Sequence, residues 1–481
     1  MPLILAAVLG LAGGTVRAKL PDQIVPDGLA IQVKQERVTQ EQLHAIAALG
    51  FTYVRTGIWW DNVEFPARGD RRWNAPLRRF APDPSLPDPW QTSFDTFIGQ
   101  ARRAGLKVLV TLYNGNILYT GEPVPVADTL GGTHNLLPGP RTPDAIAGFA
   151  AFAAATARHY ADLYGGENFV WSIFNEPNMD TNFPPKFSPE AYGDVLLQSC
   201  RAIKAAVPGA PVIGPDMTVI QGKGDGEIDY DFIRRMLRHV NVLTCIDGFS
   251  LHPYRPMPPD SVAADYRAIK AVLEPFMRAA KRRVPIMVDE WGYTTRGEPL
   301  RFKYPGATPD RELEQAAQVT RTFIVNLAEG VPLAVWYEWQ DDGDDPEEGE
   351  HGFGLLDLTG RPKAGHAAVK TMIDALRGLS FTRRIAPKSC ATADAQLYLF
   401  RPPASNAAPR APGMLVAWSD KPGAQLHIPA NLRAGEDIAA LGQKSEPHDR
   451  TLFPLDALPR YIPVKAGVEA GLKCSVHRVF P

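Results

Sequence analysis

Short apolar runs rich in β-branched and aromatic residues alternate along most of the chain with longer stretches whose apolar positions recur at helical spacing. The strand-like runs fall at residues 30–33, 52–58, 107–112, 169–174, 211–214, 248–251, 285–288 and 333–337. Helical periodicity predicts helices near 42–49, 94–104, 143–163, 190–206, 230–239, 261–282, 311–329 and 365–376, with Gly105 as the glycine that ends the second. Eight strand-then-helix units, whose strands are apolar on both faces, imply an α/β protein of the (β/α)8 TIM-barrel class rather than an open doubly wound sheet. From about residue 377 the pattern changes. Short alternating segments at 396–400, 414–418 and 425–428, divided by Pro-, Gly- and Asn-rich turns, predict a small C-terminal antiparallel β-sandwich domain, with 402–413 a long loop inside it.

The chain of 481 residues has room for both units: a leader at 1–18, a barrel over 19–376 and a sandwich over 377–481. The leader is the apolar stretch from Leu3 to Gly14, followed by Val16-Arg17-Ala18, a small-x-Ala pattern of the kind cleaved on export. It lacks a positively charged start, and its alternative is a buried N-terminal element. The expectation is a periplasmic or secreted protein with no stable membrane insertion, since no stretch of about 20 apolar residues follows. Net charge is −2 with no Lys/Arg run, which argues against a nucleic-acid partner. Four cysteines, Cys200, Cys245, Cys390 and Cys474, have neither CxxC spacing nor paired histidines, so no metal site is expected of them. Cys390 and Cys474 both fall in the C-terminal domain and would close it in an oxidising compartment; three connectivities remain open.

Polar residues collect where the barrel strands end, and in such a barrel function collects at that rim. The second strand ends in Arg55-Thr56-Gly57-Ile58-Trp59-Trp60 and the third in Tyr113-Asn114. The fourth ends in Asn175-Glu176-Pro177-Asn178, the sixth in His252-Pro253-Tyr254 and the seventh in Asp289-Glu290-Trp291-Gly292; the eighth runs through Trp336-Tyr337-Glu338-Trp339. Glycoside hydrolysis needs two carboxyl groups flanking the scissile bond, and two glutamates on different strands can be held about 5–5.5 Å apart, as a retaining mechanism requires. Glu176 and Glu290 are the two that leave strand ends among other polar groups. A structural ion pair with a barrel arginine is the plainer account of either one alone; together, in this setting, they read as catalytic.

The run Trp171-Ser172-Ile173-Phe174-Asn175-Glu176-Pro177-Asn178 resembles the strand-four motif of the large clan of retaining (β/α)8 glycosidases, clan A, and Val288-Asp289-Glu290-Trp291-Gly292 is similar to its strand-seven motif. His252-x-Tyr254, Arg55 and a tryptophan on strand eight extend the likeness. Asn-Glu-Pro-Asn and a sandwich after the barrel are most similar to glycoside hydrolase family 39, with its β-xylosidase-like, iduronidase-like and bacterial exopolysaccharide glycosidases. The likeness covers roughly residues 25–376. It implies Glu176 as general acid/base, Glu290 as nucleophile and Asn175 as the partner of the sugar 2-hydroxyl. It also implies that Tyr254 holds Glu290 ionised, that His252 and Arg55 tune the charge around the pair, and that the charge on Glu290 keeps the acid protonated.

Trp59, Trp60, Tyr113, Asn114, Trp291, Trp336 and Trp339 complete the expected substrate-binding set, since flat rings suit the apolar faces of sugars. Trp171 reads as core, and Trp73 and Trp90 are open to either reading. The acidic stretch 341–350 lacks the spaced ligands and glycine of a calcium loop and reads as a solvated rim; His134 reads as a surface residue. Neither a metal nor an organic cofactor is expected. The expected partner is a polysaccharide or oligosaccharide. The expected activity is retaining hydrolysis of its β-linkages, cutting within the chain of a substrate such as a bacterial exopolysaccharide. Exo-acting β-glycosidase, transglycosylase and non-catalytic glycan-binding protein are the alternatives.

Overall fold

The structure, a computed structural model, describes residues 19–77, 92–128, 132–220, 226–296, 311–403, 412–444 and 451–476. The candidate leader, Trp90 and most of the loop at 402–413 lie outside these residues. Eight parallel strands close a barrel: β1 (Leu29–Gln32), β2 (Tyr53–Trp59), β3 (Lys107–Tyr113), β4 (Phe169–Ile173), β5 (Val212–Thr218), β6 (Gly248–His252), β7 (Ile286–Trp291) and β8 (Ala334–Trp336). They follow one another around the ring in chain order, and β8 pairs with β1. Each is followed by a helix: α1 (Gln40–Leu49), α2 (Phe94–Arg103), α3 (Pro143–Tyr164), α4 (Pro189–Ala206), α5 (Tyr230–His239), α6 (Val262–Ala280), α7 (Arg311–Glu329) and α8 (Ala364–Leu376). Local chemistry starts them: Thr39 and Gln42 form a capping box on α1, and Thr142 and Ser188 cap α3 and α4 ahead of a proline in the first turn. The expected (β/α)8 class is the observed one.

Strand alternation sorts the side chains into two shells. Leu29, Ile31, Val54, Ile58, Val108, Val110, Trp171, Phe249 and Leu251 face the helices in the main core. Ala30, Tyr53, Leu109, Val170, Ile213, Met287, Leu333 and Val335 fill the barrel floor as a separate apolar cluster. Above that floor the inward positions turn polar: Arg55, Thr111, Ser172, Asp216, Ser250, His252 and Asp289 are all buried.

Two β-bulges break the alternation. Pro215 and Asp216 of β5 oppose the single residue Ser250, and Asp289 and Glu290 of β7 oppose the single residue Val335. A bulge re-aims the residues after it. Asp289 and Glu290 therefore both turn toward the barrel mouth, and Trp291 is returned to the outer shell.

The C-terminal domain packs a four-stranded antiparallel sheet, β9 (Ser380–Ile385), β10 (Gln396–Arg401), β11 (Gly413–Trp418) and β14 (Arg460–Val464), against a three-stranded one. The latter holds β12 (Ala424–His427), β13 (Leu452–Pro454) and β15 (Lys473–Val476). Cys390–Cys474 closes this domain and Cys200–Cys245 ties α4 to the chain before β6, which resolves the three open connectivities. Tyr398, Phe400, Val416, Trp418 and Tyr461 join the barrel's own core cluster. At the seam the buried Arg321 of α7 reaches Asp260 of the barrel and both carboxylate oxygens of Asp420, at 2.6 and 2.9 Å, beneath the Trp418 ring. No helix among the described residues is long and apolar enough to cross a membrane.

Candidate active site

Glu176 and Glu290 meet at the mouth of the barrel. One oxygen of each, together with a nitrogen of His252, lies within a 4.8 Å cluster. Glu290 is clamped: Arg55 Nη1 donates to its Oε2 at 2.5 Å and the Tyr254 hydroxyl donates to its Oε1 at 2.9 Å. Burial acts to raise its pKa, but the charges of His252 and Arg55 and the Tyr254 hydroxyl outweigh burial and hold it below the usual carboxylate range. It is an ionised carboxylate in a dry setting.

Glu176 is held differently. Its backbone sits in the left-handed region at φ 46°, with Phe174 at 67° two residues before. That conformation costs a non-glycine residue roughly 1–2 kcal/mol, tolerated where packing over-determines it. The packing is on hand: Phe174 is buried against Phe149 and Phe183, with ring centroids 5.1 and 5.2 Å away. The Glu176 amide donates to Asp216 O at 2.9 Å, and Asn178 exchanges two hydrogen bonds with the Thr218 backbone, pinning the loop to β5. The side chain accepts from Asn182 Nδ2 at 3.3 Å and lies 2.9 Å from His252 Nδ1. Burial opposes charge on His252, yet Glu290 and Asp289, helped by contacts to Asp289 and Glu176, push its pKa well above the ordinary value. The imidazolium so favoured directs Nδ1–H at Glu176, while Nε2 lies 3.4 Å from Asp289 without a hydrogen bond.

Asn175 is oriented by Arg55, whose Nη2 donates to its Oδ1 at 2.7 Å, so the amide N–H groups are left to face the cleft. Trp59 Nε1 donates to the Tyr113 hydroxyl, and both rings are half-buried at the rim. Gly57 makes that possible, because a Cβ there would stand 2.5 Å from the Tyr113 ring. Asn114 donates to Asp61 at 2.9 Å, which holds the loop after β3.

Several expected sugar contacts are overturned by burial. Trp60 is fully buried, tilted against Tyr119 and stacked on Phe152, with Nε1 donating to Glu64 at 3.1 Å. Trp291 is fully buried beside Tyr293 and beneath Arg255, and Trp336 donates from inside the core to Phe353 O at 3.3 Å. Trp339 is buried against His366. The physical reason is strand phase: Trp60 follows the inward Trp59, Trp336 follows the inward Val335, and the β7 bulge turns Trp291 outward. Trp171 packs as core, as expected, and Trp73 is stacked on His159, 4.2 Å away between helices.

The aromatic at the end of β8 that faces the site is Tyr337, half-buried, with its hydroxyl accepting from Lys34 Nζ at 2.8 Å. It follows the outward Trp336, so alternation pointed to it. Gly292 lets the end of β7 approach it, since a Cβ there would fall 2.1 Å from Tyr337 O. Asn182, Gln32 (3.0 Å from Arg55 Nη1) and Asp216 also carried no sequence motif. The acidic stretch 341–350 is not uniformly solvated. Asp341 is buried in an ion pair with Lys363 and Asp342 pairs with Lys34 and Arg37, whereas Glu350 is exposed at the rim, its pKa raised to about 7 by partial desolvation and the charge of Glu290. Phe353, three residues on, packs edge-on against Tyr254 and Tyr337, so this loop walls the site. His134 is exposed on a hairpin and bonded to Asp128, a surface residue as expected.

No protein-family profile matches the sequence, and curated protein sequences give no match. Solved structures do. A family 39 glycoside hydrolase from the gut symbiont Bacteroides cellulosilyticus aligns with a TM-score of 0.65 at 20% identity, over 91% of this chain and 81% of that one. The fold is that of the family 39 glycoside hydrolases. A family 39 β-xylosidase from Caulobacter crescentus aligns with a TM-score of 0.56 at 16% identity, covering 94% of this chain and 98% of that one. The catalytic domain of the family 30 xylanase C from Talaromyces cellulolyticus aligns with a TM-score of 0.54 at 12% identity, over 94% and 99%.

Proposed function

We propose that this protein is a retaining glycoside hydrolase that cleaves β-linkages by double displacement, with Glu290 as nucleophile and Glu176 as acid/base. The observation that carries the reading is the pair of glutamates whose oxygens approach within 4.8 Å, one of them clamped as an anion by Arg55 and Tyr254. Such an approach fits the short spacing of a retaining pair, in which a carboxylate attacks directly.

In the first step Glu290 forms a bond to the anomeric carbon while Glu176 gives its proton to the departing oxygen. In the second, Glu176 takes a proton from water, which displaces Glu290 from the sugar. Asn175, with its oxygen engaged by Arg55, turns N–H donors toward a sugar 2-hydroxyl, and Tyr337, Tyr113 and Trp59 offer ring faces and edges. The imidazolium of His252 stabilises Glu176 when it is the carboxylate.

The β-xylosidase and xylanase among the structural neighbours support a β-linked saccharide as substrate. Two disulfides fit an exported protein, and export fits a polymer such as an exopolysaccharide. The test is a panel of activated aryl β-glycosides and β-linked polysaccharides with wild type and Glu290→Gln. Turnover with retention of anomeric configuration by NMR, lost in the variant, is expected; inversion overturns the mechanism. A ladder of oligosaccharides from a polymer is the expected product of internal cleavage, and monosaccharide alone overturns that part.

A further inference from the structure

Beneath the catalytic pair lies a second carboxyl pair that the hydrolytic steps do not touch. The β5 bulge turns Asp216 inward and alternation from the floor residue Met287 keeps Asp289 inward, on either side of His252 on β6. One ligand atom of each of the three residues falls within 4.8 Å of the others, and all three residues are fully buried. Both Asp216 oxygens meet a serine hydroxyl, Ser250 at Oδ1 and Ser172 at Oδ2. The Asp216 amide donates to Ser250 Oγ at 3.0 Å, which directs that hydroxyl's own proton to the carboxyl. Asp289 is not so supplied. Neither of its oxygens has a hydrogen-bond partner; His252 Nε2 is 3.4 Å away but out of line, and Arg55 Nη2 is 3.9 Å away.

Buried charge must be paired. The groups that face one another here are Arg55 from β2, Asp216 from β5, His252 from β6, Asp289 and Glu290 from β7, Glu176 above, and the neutral hydroxyls of Ser172, Ser250 and Tyr192. Arg55 and His252 supply two positive charges, against which Asp289, Glu290 and Glu176 already set three carboxyls. A further anion at Asp216 would stand uncompensated, whereas a proton on Asp216 spares the set that charge and gives Asp289 the donor it lacks. Burial and the neighbouring Asp289 push Asp216 well above the usual carboxylate range; Asp289, although buried, is held below it by His252 and Arg55.

We propose that Asp216 is a neutral carboxylic acid donating a hydrogen bond to ionised Asp289, and that this pair, acting through His252, positions Glu176. Ionised Asp289 keeps the imidazole doubly protonated, so that Nδ1–H stays directed at Glu176. Asp216 is then a positioning residue with no contact to substrate. The role of Glu176 rests on the function proposed above; the protonation of Asp216 does not.

Isotope-edited infrared spectroscopy tests the proton directly. Wild type carrying aspartate labelled with carbon-13 in the side-chain carboxyl should show, at neutral pH, a carboxylic C=O stretch that shifts in D2O. The band should be lost in Asp216→Asn and displaced in Asp289→Asn. A labelled wild type with no protonated-aspartate band overturns the proposal whether or not the protein hydrolyses anything, as does a stoichiometric divalent metal in the purified protein. The pH profile of kcat/KM tests the positioning. Asp216→Asn keeps a neutral donor, so its kcat/KM should stay within about threefold of wild type with both limbs in place. Asp289→Asn should bring the His252 ionisation down into the working range and move the profile. Equal shifts in the two variants overturn the positioning role.

Discussion

Two buried arginines organise charge in this molecule, and they do opposite work. Arg321, with its side chain 0% exposed, is held through its Nη atoms by Asp260 and by both oxygens of Asp420, with Trp418 over its plane. Every group in that cluster belongs to the seam between barrel and sandwich, and none faces a cleft. Arg55, with its side chain 5% exposed, spreads its donors over Gln32, Asn175 and Glu290, and the carboxyls around it outnumber the cations. Its cluster ends at an open mouth. A cluster whose groups close on one another braces; one whose groups point at a cleft keeps charges ready for a substrate.

Breaking each cluster separates the two roles. Glu290→Gln should reduce kcat/KM on an activated aryl glycoside on the order of 10⁴-fold or more with an unchanged melting curve; a loss below tenfold would place the chemistry elsewhere. Arg321→Met leaves two aspartates unpaired at the seam and should cost about 3–5 kcal/mol in urea unfolding, while kcat per folded molecule holds. Tyr254→Phe removes one bond to a charged acceptor, about 1.5–3 kcal/mol, and should lower kcat by about 10- to 100-fold. Because the Tyr254 hydroxyl helps depress the pKa of Glu290, the acidic limb of the pH profile should move to higher pH in that variant.

Smaller effects sharpen the same contrast. Tyr337→Ala should raise KM by about tenfold, whereas Trp336→Phe should lower stability and leave KM alone. A reversal would restore the tryptophan as the sugar platform. Glu350→Gln gives the smallest effect, because Glu350 is exposed and solvent screens its repulsion from Glu290. A carboxyl whose folded pKa is raised, here to about 7, favours the folded state least once it ionises, so its small penalty is absent at pH 4 and complete at pH 8. The variant should therefore gain in Tm at pH 8 and match wild type at pH 4.

The barrel was legible because eight strand-like runs and eight amphipathic helices are local patterns, and each strand begins within one residue of its apolar run. The paired glutamates of the candidate site were legible because strand ends are marked by Asn175-Glu176-Pro177 and Asp289-Glu290-Trp291. The aromatics were not, because a tryptophan next to an inward residue looks the same in sequence whichever way it points. Trp60, Trp291 and Trp336 stand at cleft positions along the chain, and all three pack outward. Asp216 carries no signal in the sequence because Gly214-Pro215-Asp216 resembles an ordinary strand end, and only the bulge turns it inward.

The sequence by itself therefore determined the fold class, the strand ends that carry polar chemistry and the two carboxylates of the site. These follow from period and composition within a few residues. Tertiary structure decided which side chains share the interior, how their charges balance and where the protons rest. Those depend on strand phase and on burial beside residues tens to hundreds of positions away, and a single bulge changes both.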